Sequence, residues 1–366
     1  MKDHDTVFIT GATGLVGGGV LMRMLRADPR LRAYVLVRDE AMWHSSACRL
    51  GVPAERVIPV RGDITAKGLG IEYWTRRRLA SEVTVMVHAA ADTSFSRPLA
   101  QARLANTEGT REMLSLARLC GGLRRFAHVS TAFVAGRQRG LIRETDGAHS
   151  MGWVNSYERS KYDAEALVRD SGVDWVIFRP STIVCRGAEG SISQINAVHR
   201  ALRVYHRGLA AMMPGSRDDL LDVVTADYVN DAISRVTVSP CASRKTLHLC
   251  AGRGALPLGE LVDAAYDFWA RDPMWRKRGI EKAVLTDLET YTLFANSVIE
   301  TGDGRLGAVL SSLSHFIPQL ALSKQFDTTV ADRLVGSAAP VVRTYWVAML
   351  AQLISGNWGT CYGEAA

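Results

Sequence analysis

The chain has 366 residues, nearly half of them hydrophobic, and a formal net charge of +7 at pH 7. This length and composition allow a large buried core and more than one domain. The longest late apolar run, Tyr345 to Ile354, is too short to span a bilayer, so we expect no integral membrane segment. The dense basic run Arg76–Arg78 lies in helix-like sequence without clustered aromatics, so we expect no nucleic-acid partner.

The six cysteines are spread along the chain without a close pair. That spacing predicts neither a disulfide framework nor a metal site. The N-terminus enters its first predicted strand within a few residues, which leaves no room for a signal peptide. We therefore expect reduced thiols and a cytoplasmic location.

A glycine-rich segment opens the chain. A β-rich apolar run at residues 6–10 is followed by Gly11, Gly14 and Gly17 and then by a helical apolar pattern. A strand, a glycine turn and a helix start in this order are typical of a dinucleotide site. Gly11 permits the tight turn, Gly14 lets the backbone approach the pyrophosphate, and Gly17 lets the helix pack closely on the strand. The predicted cofactor contacts of this segment also include Thr13, Leu15 and Val16.

Strands and helices alternate through the first half of the chain. Further strands are predicted near residues 33–38, 57–61, 84–88, 124–130 and 174–179. This alternation predicts a mostly parallel sheet with helices on both faces. Beyond Pro180 the pattern changes, with a helix predicted over residues 190–215, a short late strand in "KTLHLCAG", and mostly helix from Pro257 onward.

The end of the second strand indicates which cofactor is used. In the NAD-binding pattern an acidic side chain there binds the ribose hydroxyls, but this chain has Arg38. A guanidinium can bind a 2′-phosphate with two charge-assisted hydrogen bonds, whereas a carboxylate would repel it. This predicts NADPH. Arg49 adds a second contact if the intervening loop folds back, Asp39 in a shifted register would favour NAD, and Asp63 with Ile64 is predicted to face the adenine.

Tyr157 and Lys161 stand four residues apart in the predicted helix "NSYERSKYDAEALVRD". Residues at this spacing share a helix face. The ammonium is expected to lower the tyrosine pKa from its ordinary value of about 10. Tyr157 could then donate a proton to a carbonyl oxygen that gains negative charge. The alternative is an exposed helix that carries both residues by chance, and the glycine-rich segment argues against it.

Together these segments resemble the extended form of the short-chain dehydrogenase/reductase superfamily over about the first 250 residues. The resemblance implies that Thr131, in "RFAHVSTAFVAG", takes the place of the commoner catalytic serine. It implies that Asn106, in "RLANTEGTREML", supports a proton-relay water, and that Tyr157 and Lys161 both catalyse and hold the cofactor. The segments "VMVHAAADTSF" and "VIFRPSTIV" are implied to supply the cofactor contacts Ala89, Ala90, Ala91, Pro180, Ser181 and Thr182.

The resemblance also implies the domain organisation. We expect an α/β fold with a Rossmann doubly wound parallel sheet and a smaller, mostly helical C-terminal substrate lobe. Residues 1–180 would form the NADP-binding domain, with a returning segment at about 218–250. Residues 181–217 and 251–366 would form the substrate-binding lobe.

The motif series looks most like the thioester reductase and fatty acyl reductase branch. Members reduce an acyl group held on CoA or a carrier protein to an aldehyde, and some continue to the alcohol. A positive surface could recruit an acidic acyl carrier protein. Two alternatives stay open: a ketoreductase or hydroxysteroid-type dehydrogenase of the same fold, and a non-catalytic NADP-sensing protein, which would need the glycine loop but not the Tyr157 and Lys161 pair.

Overall fold

The computed structural model describes residues 5–147, 149–300 and 304–359. Cys361, and the parts of the two predicted domains at residues 1–4, 148, 301–303 and 360–366, lie outside the described residues.

One parallel sheet organises the fold. Its strands are β1 (Thr6–Thr10), β2 (Arg32–Val37), β3 (Val57–Arg61), β4 (Val85–His88), β5 (Arg125–Val129), β6 (Trp175–Pro180) and β7 (Lys245–Leu249). They lie in the order β3-β2-β1-β4-β5-β6-β7, and each adjacent pair is parallel. The order reverses between β1 and β4, and in such sheets a ligand crevice opens at the carboxyl ends of the strands flanking the reversal.

The helices follow the chain order. They are α1 (Leu15–Ala27), α2 (Glu40–Leu50), α3 (Tyr73–Glu82), α4 (Leu99–Arg103), α5 (Gly109–Leu119), α6 (Ser156–Arg169), α7 (Ala197–His206), α8 (Ala226–Val238), α9 (Leu258–Trp269), α10 (Pro273–Arg276), α11 (Leu288–Glu300), α12 (Gly304–Leu313), α13 (Thr329–Val335) and α14 (Arg343–Ser355). A single wider turn, Leu104–Glu108, joins α4 to α5.

Hydrophobic side chains cover both faces of the sheet because successive strand residues point to opposite sides. Val7 and Ile9 of β1 pack in one core with α1 and α8, whereas Phe8 between them packs in another with α3 and α5. Strands buried on both faces have continuous apolar sequences, as β1 does. The predicted doubly wound sheet is confirmed, and the six strands predicted by residue number lie within one residue of the observed bounds.

A third core lies in the C-terminal part of the chain and is rich in aromatic residues. It joins α7, α9 and α14 and includes Trp269, Tyr345 and Trp346. Helix α13 does not belong to it, because Ala331 and Val335 pack into the core of the sheet. The bounds of the two predicted domains stay a prediction.

Four short strand pairs connect these parts of the molecule. They are Gly140–Ile142 with Lys324–Phe326, Thr182–Cys185 with Val223–Thr225, Met212–Pro214 with Val284–Thr286, and Leu220–Leu221 with Leu256–Pro257. Among the described residues, no helix is both long enough and apolar enough to cross a membrane.

The helix predicted over residues 190–215 is wrong in extent. Asn196 begins α7 with a reciprocal capping box to His199, and the helix ends before Gly208, whose φ is +76°. A positive φ cannot continue a right-handed helix. The chain then enters the strand Met212–Pro214. The observed helix α7 therefore covers only ten residues of the predicted range.

Candidate active site

The glycine turn lies at the reversal point of the sheet. Gly11 has φ +72°, and a Cβ there would come within 2.8 Å of backbone atoms of Ala89 and Ala90. A Cβ on Gly17 would lie 2.3 Å from the Gly11 carbonyl oxygen. The turn therefore needs a left-handed residue at Gly11 and no side chain at Gly17, as the sequence predicted.

The outer side of this turn is open. Thr13 and Gly14 are exposed, while Leu15 and Val16 are only partly buried. The Gly14 amide donates to the Gly11 carbonyl at 2.9 Å and starts α1, whose first free N–H groups face this side. A bare backbone cradle at a helix N-terminus fits the pyrophosphate of a dinucleotide.

A buried hydrogen-bond chain runs from the loop after β4 to α5. The Ala90 amide donates to Thr10 Oγ1 at 3.1 Å, and Thr10 Oγ1 lies 2.9 Å from His88 Nδ1. His88 Nε2 lies 3.1 Å from Thr110 Oγ1, which donates to the Asn106 carbonyl at 2.6 Å. Burial lowers the pKa of His88 to about 3, so its ring is neutral. The chain of bonds thus fixes the loop of Ala89, Ala90 and Ala91 relative to Asn106.

The Asn106 side chain ties that loop to α6. Its Oδ1 accepts from the Asp92 amide at 2.8 Å, and its Nδ2 donates to the Asp92 carbonyl and to Ser160 Oγ, each at 2.9 Å. Ser160 Oγ in turn donates to the Tyr157 carbonyl at 2.9 Å. Asn106 therefore positions the helix that carries Tyr157. Its role with a relay water stays a prediction.

Tyr157 and Thr131 come together at the carboxyl end of β5. Asn155 caps α6, which puts Tyr157 on the first turn with only 9% of its surface exposed. Burial raises the pKa of Tyr157 to about 12, and a hydrogen bond with Thr131 opposes this rise. The predicted lowering of the tyrosine pKa by Lys161 is therefore wrong in this structure. A phenol with this pKa is fully protonated at neutral pH and can act as a donor.

Lys161 is held by the strand rather than by the tyrosine. Its Nζ donates to the Val129 carbonyl at 2.7 Å and lies 3.3 Å from His128 Nε2. Burial lowers the pKa of Lys161 to about 8, and the charge of Glu165 opposes this shift. Lys161 and Tyr157 nevertheless lie on the same buried face of α6, as their spacing predicted.

Glu165 and Arg179 form a buried ion pair beside the candidate site, and the sequence analysis did not predict it. Glu165 continues the face of Tyr157 and Lys161 by one further turn and is fully buried. Arg179 of β6 binds it with two hydrogen bonds of 2.9 and 2.8 Å, and the guanidinium holds the pKa of Glu165 down at about 2 although burial acts to raise it. The sequence carries one signal for this pair, because Glu165 follows Tyr157 and Lys161 at the same spacing of four residues and therefore lies on the same helix face.

Arg38 lies at the carboxyl end of β2 and is exposed. Asp39 is engaged elsewhere, because its carboxylate caps α2 by accepting from the Ala41 and Met42 amides at 2.8 and 3.1 Å.

Arg49 lies on the last turn of α2. The prediction of a loop between Arg38 and Arg49 is therefore wrong, because most of the intervening residues form this helix. Leu50 of the same turn packs against Gly18 on the first turn of α1, where a Cβ would lie 3.1 Å from its Cδ1. The helix therefore brings its last turn, which carries Arg49, against the first turn of α1. The contact of Arg49 with a phosphate stays a prediction.

The other predicted cofactor residues also lie at the carboxyl edge of the sheet. Asp63 follows β3 and accepts from the Thr65 amide and hydroxyl, both at 2.8 Å, and Ile64 packs on Gly109 of α5. On the far side, Pro180 ends β6, the Ser181 amide donates to the Leu249 carbonyl at 3.2 Å, and Thr182 begins a short strand. These residues are brought to one edge, and their individual contacts stay predictions.

Two phenylalanines that were not predicted as site residues form a stack beside Tyr157. The ring of Phe95 lies 5.5 Å from that of Tyr157, and Phe316 stacks on Phe95 at 6.2 Å with an interplanar angle of 10°. Phe316 also lines an apolar cavity in the C-terminal core. Other lining residues include Leu202, Tyr205, Met213, Leu258 and Trp346. Within the described ranges no cluster of side chains could hold a metal ion.

The comparisons with known proteins agree with this arrangement. The model of the NAD-binding family described as "Male sterility protein" matches residues 9–233, from β1 into α8. A putative fatty acyl-CoA reductase of Drosophila melanogaster is 26% identical over 273 residues, which are 62% of this chain and 50% of that protein. The chain spans about half the length of the first curated relatives that it matches.

Solved structures show the same fold over nearly the whole chain. The terminal R domain from the myxalamid PKS-NRPS biosynthetic pathway superposes with a TM-score of 0.80 at 25% identity, covering 97% of this chain and 91% of that one. A thiolation-reductase di-domain from an archaeal non-ribosomal peptide synthetase gives a TM-score of 0.72 at 18% identity, covering 97% and 76%. The resemblance that the motifs predicted is confirmed.

Proposed function

Because the chain belongs to the NAD-binding family described as male sterility protein, we propose that it is an NADPH-dependent reductase of acyl thioesters. The product is the aldehyde, with further reduction to the alcohol as a second round. The observation that carries the proposal is the hydrogen bond between Tyr157 and Thr131 at the carboxyl edge of the sheet, where the glycine turn also lies, with Lys161 buried on the same face of α6 as Tyr157.

The residues that would hold the cofactor are the backbone of the glycine turn and the guanidinium of Arg38. When bound, NADPH supplies a hydride for the carbonyl carbon of the substrate. The 2′-phosphate is the part of the molecule that Arg38 would select, since a guanidinium binds a phosphate with paired hydrogen bonds. Lys161 lies where a ribose hydroxyl could replace one of its present hydrogen-bond partners.

Thr131 and Tyr157 act on the carbonyl oxygen. Each hydroxyl donates a hydrogen bond as that oxygen gains negative charge, and the phenol of Tyr157 gives up its proton. These donors are fixed in a buried site, where an oriented hydrogen bond stabilises a developing charge more than it would in water. Lys161 lies on the same buried helix face but bonds to the strand, so its proposed role is to hold the ribose of the cofactor rather than to lower the pKa of Tyr157.

A thioester passes through a further step that a ketone does not. Addition of hydride and a proton gives a hemithioacetal, which loses the hydroxyl proton as the carbon–sulfur bond breaks. The thiolate leaves with the electrons of that bond, and an aldehyde remains. A second hydride and a second proton would give the alcohol.

The substrate class rests on the family, on the apolar cavity beyond Phe316 and on the fold shared with the myxalamid R domain. We propose that the acyl group arrives on CoA or on a carrier protein, whose acidic surface would suit a chain with a net charge of +7. The predicted cytoplasmic location stays a proposal.

A coupled assay tests the proposal. Purified protein is given NADPH with octanoyl-CoA, and in parallel with a ketone of similar length, while NADPH absorbance and free thiol are both followed. We expect NADPH loss and thiol release together with the thioester, and little turnover of the ketone. NADPH loss with ketones alone would favour the ketoreductase, and cofactor binding without turnover of any carbonyl would favour the sensor.

A further inference from the structure

The start of α6 is tied to a distant segment of the chain, residues 315–324, which we call the wall segment. Asn155 Nδ2 donates to the His315 carbonyl at 3.1 Å, and Gln319 Nε2 donates to Glu158 Oε1 at 2.5 Å. Tyr157 lies between Asn155 and Glu158 along the helix. The two bonds therefore fasten the wall segment on both sides of the candidate proton donor.

The second of these bonds belongs to a buried network. Lys324 Nζ donates to Gln319 Oε1 at 2.8 Å and to the Leu322 carbonyl at 3.3 Å. Glu158 also accepts from the Val154 amide at 2.9 Å. Glu158, Gln319 and Lys324 are 1%, 9% and 4% exposed. Buried polar groups are costly when unpaired, so removal of one member destabilises the position of the others.

The wall segment carries Phe316 between its two fastened points. The Phe316 ring stacks on Phe95, and Phe95 packs against the Tyr157 ring. Phe316 and Leu320 of the same segment also line the apolar cavity. Two stacked rings, Phe95 and Phe316, thus lie between the Tyr157 ring and the cavity, and the position of Phe316 depends on the hydrogen bonds to α6.

We infer that Glu158, Gln319 and Lys324 are positioning residues that hold Phe316 as the wall between the reacting carbonyl and the acyl cavity. The inference rests on the proposed function, since it assigns the cavity, whose volume is about 40 Å³, to part of the apolar tail of the thioester. The network does not touch the reacting atoms. The network affects the binding of a long acyl tail at the same time as the carbonyl lies near Tyr157.

The variant Gln319→Leu tests this inference, because it keeps a similar side-chain size and removes both hydrogen bonds. Acetyl and dodecanoyl thioesters of N-acetylcysteamine are compared in kcat/KM. We expect the ratio of dodecanoyl to acetyl to fall about tenfold, the size of effect expected when a hydrogen bond to a charged group is lost. The lower ratio should come from a higher KM for the dodecanoyl substrate. The affinity for NADPH, measured by fluorescence titration, should be unchanged.

Two matched variants separate positioning from general destabilisation. Tyr345→Phe removes a buried hydrogen bond of 2.8 Å to the Val223 carbonyl in the same core, away from the wall segment. It should lower the midpoint of thermal unfolding as Gln319→Leu does and leave the chain-length ratio unchanged. Glu158→Gln sets an amide NH2 group against one of the two donors that the carboxylate accepts from, the Val154 amide or Gln319 Nε2, so it should lower the ratio as Gln319→Leu does.

An unchanged ratio in Gln319→Leu, or one shifted no further than in Tyr345→Phe, overturns the inference. If Gln319→Leu does not fold, Phe316→Leu tests the same wall, with the same fall expected and an unchanged ratio overturning it. A wild type that turns over neither thioester overturns the proposed function instead.

Discussion

The Tyr157→Phe variant should bind NADPH as the wild type does and turn over roughly 10²–10⁴-fold more slowly, the usual contribution of a positioned proton donor. The substitution keeps the ring that packs on Phe95 and removes only the hydroxyl that bonds to Thr131. Stopped-flow measurement of NADPH loss with a saturating thioester gives the turnover, and fluorescence titration gives the affinity for the cofactor.

Tyr162→Phe is the matched control for this experiment. Tyr162 lies on the same helix but packs against Trp153 and His149, away from Thr131. It should behave as the wild type. Near-normal turnover in Tyr157→Phe would show that another group supplies the proton, and the proposed roles of Thr131 and Tyr157 would have to be given up.

The Arg38→Asp variant should exchange the cofactor preference. The change removes up to two charge-assisted hydrogen bonds to the 2′-phosphate, each of about 1.5–3 kcal/mol, and adds a repulsive charge. We expect kcat/KM for NADPH to fall by about 100-fold or more, and that for NADH to stay level or rise. Arg49 would keep part of the NADPH activity if the last turn of α2 reaches the phosphate.

Arg32→Asp is the control for the change of charge. Arg32 begins β2, so it lies at the opposite edge of the sheet from Arg38 and is also exposed. It should not alter the ratio of NADPH to NADH. Equal use of both cofactors by the wild type would contradict the role of Arg38 before any variant is made.

The local patterns of the chain were sufficient to predict most of the sheet and the residues that gather at its carboxyl edge. Gly11, Gly17 and the spacing of Tyr157 and Lys161 carry their meaning within a few residues, because turns and helix faces are short-range features. The extent of α7 was mispredicted because Asn196 and Gly208 were not read as its cap and its end.

The contacts that complete the site depend on pairs far apart in the chain. Lys161 is held by the Val129 carbonyl, and burial of Tyr157 raises its pKa where the spacing of the two residues had predicted a fall. Phe316 reaches Phe95 only because residues 315–324 return to the start of α6. Periodicity in the sequence reports only on neighbouring residues, so it does not predict these contacts between distant segments.

The most direct test of the central claim follows the hydride itself. Wild-type protein is incubated with octanoyl-CoA and NADPH that carries deuterium at both C4 positions, and the aldehyde is trapped as an oxime and analysed by mass spectrometry. We expect one deuterium on the carbonyl carbon of the aldehyde for each CoA thiol released. CoA released without deuterium in the product, or deuterium delivered only to added ketones, would contradict the assignment of this protein as an acyl thioester reductase.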